Sequence, residues 1–157
     1  MSVALPEILI ESPVLGILNM KIKCFALSII LTSTALNALD CGHLGITIVN
    51  ASVHQCVLYA VRTINGYFID WAPLTILSGT TSPTFYMNQD YYGVSVELNY
   101  RCDNKVVIFD SLQGFCDFMA GNIDGSSYIG NDLKTEHKEQ LGSFWSSRPG
   151  QITWVIN

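Results

Sequence analysis

The stretch that decides the fold is Gly93–Cys102, GVSVELNYRC. Val94, Val96, Leu98, Tyr100 and Cys102 fall on one face, and Ser95, Glu97, Asn99 and Arg101 fall on the other. Side chains of an extended chain point alternately to opposite sides, so this pattern marks a strand with one buried and one wet face. Asp103, Asn104 and Lys105 supply turn residues, and VVIF (106–109) resumes as a second strand. That is a hairpin signal.

Working outward, the same alphabet recurs. LGITIVN (44–50) groups Leu44, Ile46 and Ile48 before Asn50, Ala51 and Ser52 break it. CVLYAVR (56–62) is a continuous apolar run ending at charge, with the turn pair Asn65-Gly66 just beyond. YFIDW (67–71) sets Tyr67, Ile69 and Trp71 on one side. Pro73 opens LTIL (74–77), Ser78-Gly79 closes it, and TFYM (84–87) follows Pro83. QITWVIN (151–157) groups Ile152, Trp154 and Ile156. Turn signals at this spacing predict an all-β, antiparallel sandwich or barrel of about eight or nine strands. NDLKTEHKEQLG (131–142) fits an edge strand better than a helix among such neighbours. LQGFCDFMAG (112–121) fits a strand or a short helical turn. AGNIDGSSYIGND (120–132) is rich in Gly, Ser, Asn and Asp and reads as a long loop.

The N-terminal part has another character. Met20 is followed by Lys21 and Lys23, an uncharged run Cys24–Leu36 and a small-residue tract ending at Ala38. Basic, apolar and small residues in that order form a secretory signal peptide, here residues 20–38. The run is too short to span a bilayer, which takes about 20 residues. Asp40 before Cys41 does not fit a lipobox. Residues 1–19 lack a basic region and read as an upstream extension. Cleavage after Ala38 leaves about 120 residues, enough for one domain with a real core. The expected address is exported, either secreted or periplasmic.

Residues 39–157 hold six basic and eleven acidic side chains and no Lys/Arg cluster. Nucleic acid is therefore not an expected partner, since its phosphates demand a basic footprint. Attraction to anionic membrane is disfavoured for the same reason. Cys41, Cys56, Cys102 and Cys116 remain after cleavage. An even count in an exported chain implies two disulfides. Three connectivities are open, and short loops favour Cys102–Cys116 with Cys41–Cys56.

No catalytic motif emerges. GVSVE only approaches G-x-S-x-G, and it lies inside the clearest strand. His43, His54 and His137 all sit in polar or loop settings. EHKE (136–139) lacks the i, i+4 histidine pair of a zinc helix, and Asn122, Asp124 and Asp132 do not alternate as calcium ligands do. No metal and no cofactor is expected. Asn50-Ala51-Ser52 is a glycosylation sequon.

Aromatic side chains remain. All seven Tyr and three Trp follow Ala38. Tyr86, Tyr91 and Tyr92 surround a polar turn, and Trp145 lies in GSFWSSRPG (142–150). Aromatic groups on loops give large contact area at small entropic cost, which suits a lipid, glycan or protein surface. Phe85 is expected in the core. The expected function is a secreted, non-catalytic binding module. A small hydrolase with a spatially assembled site is the first alternative, and an inhibitor or structural envelope protein the second.

ITIVN (46–50) followed by WAPLTILSGTTSPTFYM (71–87) resembles small secreted β-sandwiches of the aegerolysin and actinoporin-like kind. The shared features are an apolar strand ending at Asn, then a Pro, an Ile and a Gly before an aromatic strand, here Pro73, Ile76, Gly79 and Phe85. The resemblance covers about half of residues 39–157 and implies recognition of a lipid or membrane surface, sometimes within a pore-forming system. The chain also looks like small exported proteins of intracellular bacterial pathogens.

Overall fold

The computed structural model describes residues 40–130 and 132–157; the expected upstream extension (1–19) and the expected signal peptide (20–38) lie outside them. Among the described residues eleven strands form and no helix, so none there is long and apolar enough to cross a membrane. They are β1 (His43–Asn50), β2 (Cys56–Asn65), β3 (Tyr67–Phe68), β4 (Thr75–Ile76), β5 (Thr80–Thr81), β6 (Phe85–Asn88), β7 (Val94–Cys102), β8 (Lys105–Gln113), β9 (Ile123–Ile129), β10 (Thr135–Gln140) and β11 (Gly150–Ile156). The count exceeds eight or nine because β3, β4 and β5 are two-residue pieces.

Two open sheets stack face to face. The first has the order β10-β11-β1-β6-β3, with β5 also on β1; the second is β4-β2-β7-β8-β9. The architecture is thus a sandwich and not a closed barrel. All pairings are antiparallel except β1 with β11, which run parallel from Leu44↔Gly150 to Asn50↔Ile156. Alternation reports only which side is buried and carries no information on strand direction, so this exception was invisible in the sequence.

The alternating residues meet between the sheets. Val94, Val96, Leu98, Tyr100 and Cys102 are all buried, as are Leu44, Ile46, Ile48, Ile152, Trp154 and Ile156. Each such side chain contributes about 1.5–3 kcal/mol by leaving water. Phe85 is also buried. Trp154 joins the layers: its ring lies 4.9 Å from that of Phe109, and its indole N–H donates to Ser111 Oγ at 2.9 Å. Tyr100 donates its hydroxyl to Pro73 O at 2.9 Å, and burial pushes its pKa up.

Three expectations need correction. The first is the disulfide pairing, which is Cys41–Cys116 and Cys56–Cys102. Cys102 ends β7 and Cys116 follows β8, so the pair that short loops favour sits at opposite ends of a nine-residue strand. At about 3.3 Å per residue that separation is roughly 30 Å. The eight residues of β1 divide Cys41 from Cys56 in the same way. Cys56 instead faces Cys102 directly in the β2–β7 register.

The second concerns residues 120–132, where β9 replaces the expected loop and pairs with β8 from Gln113↔Ile123 to Val107↔Ile129. Gly125 is no turn signal. A Cβ there would lie 2.7 Å from Ile152 Cδ1 and 2.9 Å from the Trp154 ring, so glycine admits close packing. The third is Leu112–Gly121, which is neither strand nor helical turn beyond Gln113 but a connection from β8 to β9. Tyr67, Ile69 and Trp71, which their spacing groups on one side, all face solvent, while Phe68 packs inward between Trp71 and Phe85.

The sequon asparagine is committed to the fold. Asn50 is fully buried, and its Nδ2 donates to the carbonyls of His54 (2.7 Å), Ile76 (3.2 Å) and Leu77 (3.2 Å). Its Oδ1 accepts from the Ser52 hydroxyl at 2.7 Å.

Candidate functional site

Strand direction sorts the connections between two ends. β1 begins, β6 ends, β7 begins, β8 ends, β9 begins, β10 ends and β11 begins at the same end, as the pairs His43↔Asn88, Val94↔Gln113, Gln113↔Ile123 and Gln140↔Gln151 require. The β6–β7, β8–β9 and β10–β11 connections therefore cluster there, together with the β2–β3 turn.

Each connection offers apolar side chains to solvent. Between β6 and β7, Asp90 and Gly93 exchange backbone hydrogen bonds of 3.0 and 3.2 Å. This tight turn lifts Tyr91 and Tyr92 to its tip, 83% and 74% exposed. Gly93 is required at φ 98°, and a Cβ there would sit 2.1 Å from Gln113 O. The Asp90 carboxylate fastens the turn by accepting from Gly66 N–H at 2.9 Å and Tyr92 N–H at 2.7 Å. Those bonds, Gly66 first, hold its pKa below the ordinary carboxylate value.

Between β10 and β11, Ser143 and Arg148 exchange bonds of 2.7 and 3.0 Å, which closes a loop bearing Phe144 and Trp145. Trp145 is 84% exposed. The β8–β9 connection carries Phe115, Phe118 and Met119, all exposed. It lies between the other two loops: Phe115 is 6.2 Å from the Tyr91 ring, and Phe118 is 5.4 Å from Phe144. Tyr91 meets Tyr92 edge-on at 5.4 Å, and Phe144 meets Trp145 edge-on at 5.6 Å. The result is an aromatic rim across one end of the sandwich.

Three of the four expected residues, Tyr91, Tyr92 and Trp145, are brought together on this end. Tyr86 is not among them. It lies on β6 opposite Gly45, partly covered, and a Cβ at Gly45 would come 2.8 Å from its ring. Sequence reasoning missed Phe115, Phe118, Met119 and Phe144. The signal was available in FCDFM (115–119), apolar residues next to a cysteine and just past a strand's end.

The charges at this end are mostly acidic. Asp40, Asp90 and Asp117 lie in or beside its loops, and Arg148 turns its guanidinium to Leu141 O at 3.2 Å. Each of the three imidazoles meets a carboxylate: His43 with Asp40, His54 with Asp103 and His137 with Glu139. Among the described residues, no group of three His, Cys, Asp or Glu gathers as a metal ion would require.

No family model and no curated protein sequence matches the chain. Solved structures do. The crystal structure of the lipid binding protein Nakanori superposes with a TM-score of 0.59 at 9% identity, covering 74% of this chain and 71% of that one. IP-1A from Alcaligenes faecalis superposes with a TM-score of 0.53 at 10% identity, covering 76% and 92%. At such identities the likeness is one of fold, a small β-rich sandwich of the general kind that the resemblance at residues 46–87 implies.

Proposed function

We propose that this chain is an exported, non-catalytic binding module that lays the aromatic end of its sandwich on a lipid surface. The observation that carries the reading is the rim itself. Three separate loops bring Tyr91, Tyr92 and Phe115 into one ring cluster and Phe118, Phe144 and Trp145 into a second, the β8–β9 connection supplying a ring to each, and the fold leaves both exposed. Contiguous apolar patches on a protein surface mark interaction sites, and Tyr and Trp suit the boundary between headgroups and acyl chains. The fold shared with a lipid binding protein supports the same direction. Two disulfides accord with folding in an oxidising compartment.

The carboxylates at this end favour an uncharged or zwitterionic surface over an anionic one. Binding then rests on apolar contact and varies little with salt, because screening acts on charge and leaves apolar contact nearly untouched. The test is co-sedimentation of the purified domain with phosphatidylcholine vesicles, together with the blue shift of Trp145 emission. Binding that persists at high salt and falls on changing Tyr91, Tyr92 and Trp145 to Ala is expected. Equal binding by wild type and triple variant would overturn the assignment of the site. Capture by immobilised glycans without vesicle binding would move the reading to a glycan partner.

A further inference from the structure

The β8–β9 connection, residues 114–122, is held in place by few bonds. Its neck is closed by Gly114 N–H donating to Asn122 O at 2.8 Å. Beyond the neck, the ties to the start of β1 and the end of β6 converge on one residue. Cys116 is bridged to Cys41, just before β1. Its N–H donates to Gln89 Oε1 at 2.7 Å, and its carbonyl accepts from Gln89 Nε2 at 2.8 Å. Gln89 is itself anchored, donating its N–H to Gly42 O at 2.9 Å. Apart from the neck and the ring contacts of Phe115 with Tyr91 and of Phe118 with Phe144, the segment bearing Phe115, Phe118 and Met119 is tied to the sandwich by one covalent bond and one amide side chain.

The other bridge is placed differently. Cys56 and Cys102 face each other on adjacent strands of one sheet, and both are fully buried. Cys41 and Cys116 keep 3% and 5% of their surface exposed. Thiol exchange requires a thiolate to reach a sulfur, so the bridge nearer to solvent reacts first. Opening it separates no pair of strands.

We propose that Cys41–Cys116 is a redox latch on the aromatic end: a dithiol opens it ahead of Cys56–Cys102, frees residues 114–122 and weakens the lipid contact. The last step rests on the lipid-surface reading; the latch itself does not. One thiolate of the dithiol attacks a bridge sulfur, forming a mixed disulfide and releasing one cysteine thiol. The second thiolate then attacks the dithiol's own bound sulfur and releases the other. The protein gains two electrons and two protons, and the dithiol leaves as a cyclic disulfide.

The experiment is a dithiothreitol titration of the oxidised domain. Each step is alkylated, mapped by peptide mass, probed by hydrogen exchange and sedimented with phosphatidylcholine vesicles. Cys41 and Cys116 should be alkylated first. Exchange across residues 115–119 should then rise about tenfold or more while the β7 and β8 amides stay protected. Vesicle affinity should fall roughly tenfold. A Cys41→Ser/Cys116→Ser variant should show the same exchange without reductant; where it does not accumulate, the half-reduced, alkylated wild type carries the measurement. Prior or simultaneous opening of Cys56–Cys102, or unchanged exchange once Cys41–Cys116 is open, overturns the latch. Vesicle binding absent even when oxidised overturns the lipid reading alone, and the exchange pattern still decides the latch.

Discussion

The two ends of the sandwich are built from the same strands and differ in the aromatic content of their connections. One end carries the β6–β7, β8–β9 and β10–β11 connections and their exposed rings. The other carries the β1–β2, β4–β5, β7–β8 and β9–β10 connections, none of which contains an aromatic residue, although Val53 and Leu77 are exposed there. There the polar groups are consumed locally: Asn50 ties three carbonyls, and His54 meets Asp103. The contrast teaches that the aromatic loops are not an inevitable result of closing such strands, since turns of ordinary polar chemistry close the other end of the same molecule.

The first way to break the comparison is to remove what both ends share. Trp154→Ala should cost about 3–5 kcal/mol, the usual range for emptying a buried aromatic site. Urea unfolding would measure it, and both ends should be lost together in one transition. Second, Asn50→Ala strikes the polar end alone. It leaves buried carbonyls without donors, at about 1–3 kcal/mol. Its vesicle binding should match wild type under conditions where the variant stays folded. Third, the Tyr91→Ala/Tyr92→Ala/Trp145→Ala variant strikes the aromatic end alone. Affinity for vesicles should drop about tenfold or more, or 1.4 kcal/mol, with stability within about 0.5 kcal/mol of wild type.

The smallest effect sharpens the comparison by pH. The folded pKa of Asp90 is depressed from 3.8 by its bonds to Gly66 and Tyr92. Its contribution to stability is therefore present above 3.8 and is lost as pH falls through the lower folded value. Asp90→Ala should be less stable than wild type at neutral pH, and the gap should close in acid. A gap that widens on acidification would mean that the carboxylate does not fasten the turn.

Much of the fold was legible because burial imposes a period of two. The inward apolar residues of β1, β7 and β11 match the alternation, although Asn50 continues the inward face of β1 and Asn99 is buried on the other face of β7. β2 was legible only in part. Register shifts between Leu58 and Ala60, and again between Thr63 and Asn65, keep Leu58 and Val61 turned towards the core, while Val57, Tyr59 and Ile64 are left exposed. An uninterrupted apolar run hides such bulges, since it has no polar beat to slip. β9 was concealed for the opposite reason: as an edge strand it exposes most of its length, so its Ser and Gly residues imitate a loop. The disulfides could have been paired by counting strands. Cysteines that flank one long strand are held apart by its length, and that outweighs any preference for short loops. At the candidate site, loop residues have no period at all. Tyr91, Tyr92 and Trp145 stood out by their turn neighbours, whereas Phe115 and Phe118 join them only through tertiary placement.

The parallel union of β1 with β11 has a kinetic consequence. Ile48 lies beside Trp154, roughly a hundred residues later in the chain, at the middle of a sheet. That ladder can close only after β11 has been made, and such distant pairing makes folding slow. The sheet of β4, β2, β7, β8 and β9 has all its strands before then, so the two layers of the sandwich complete their pairing at different moments of synthesis.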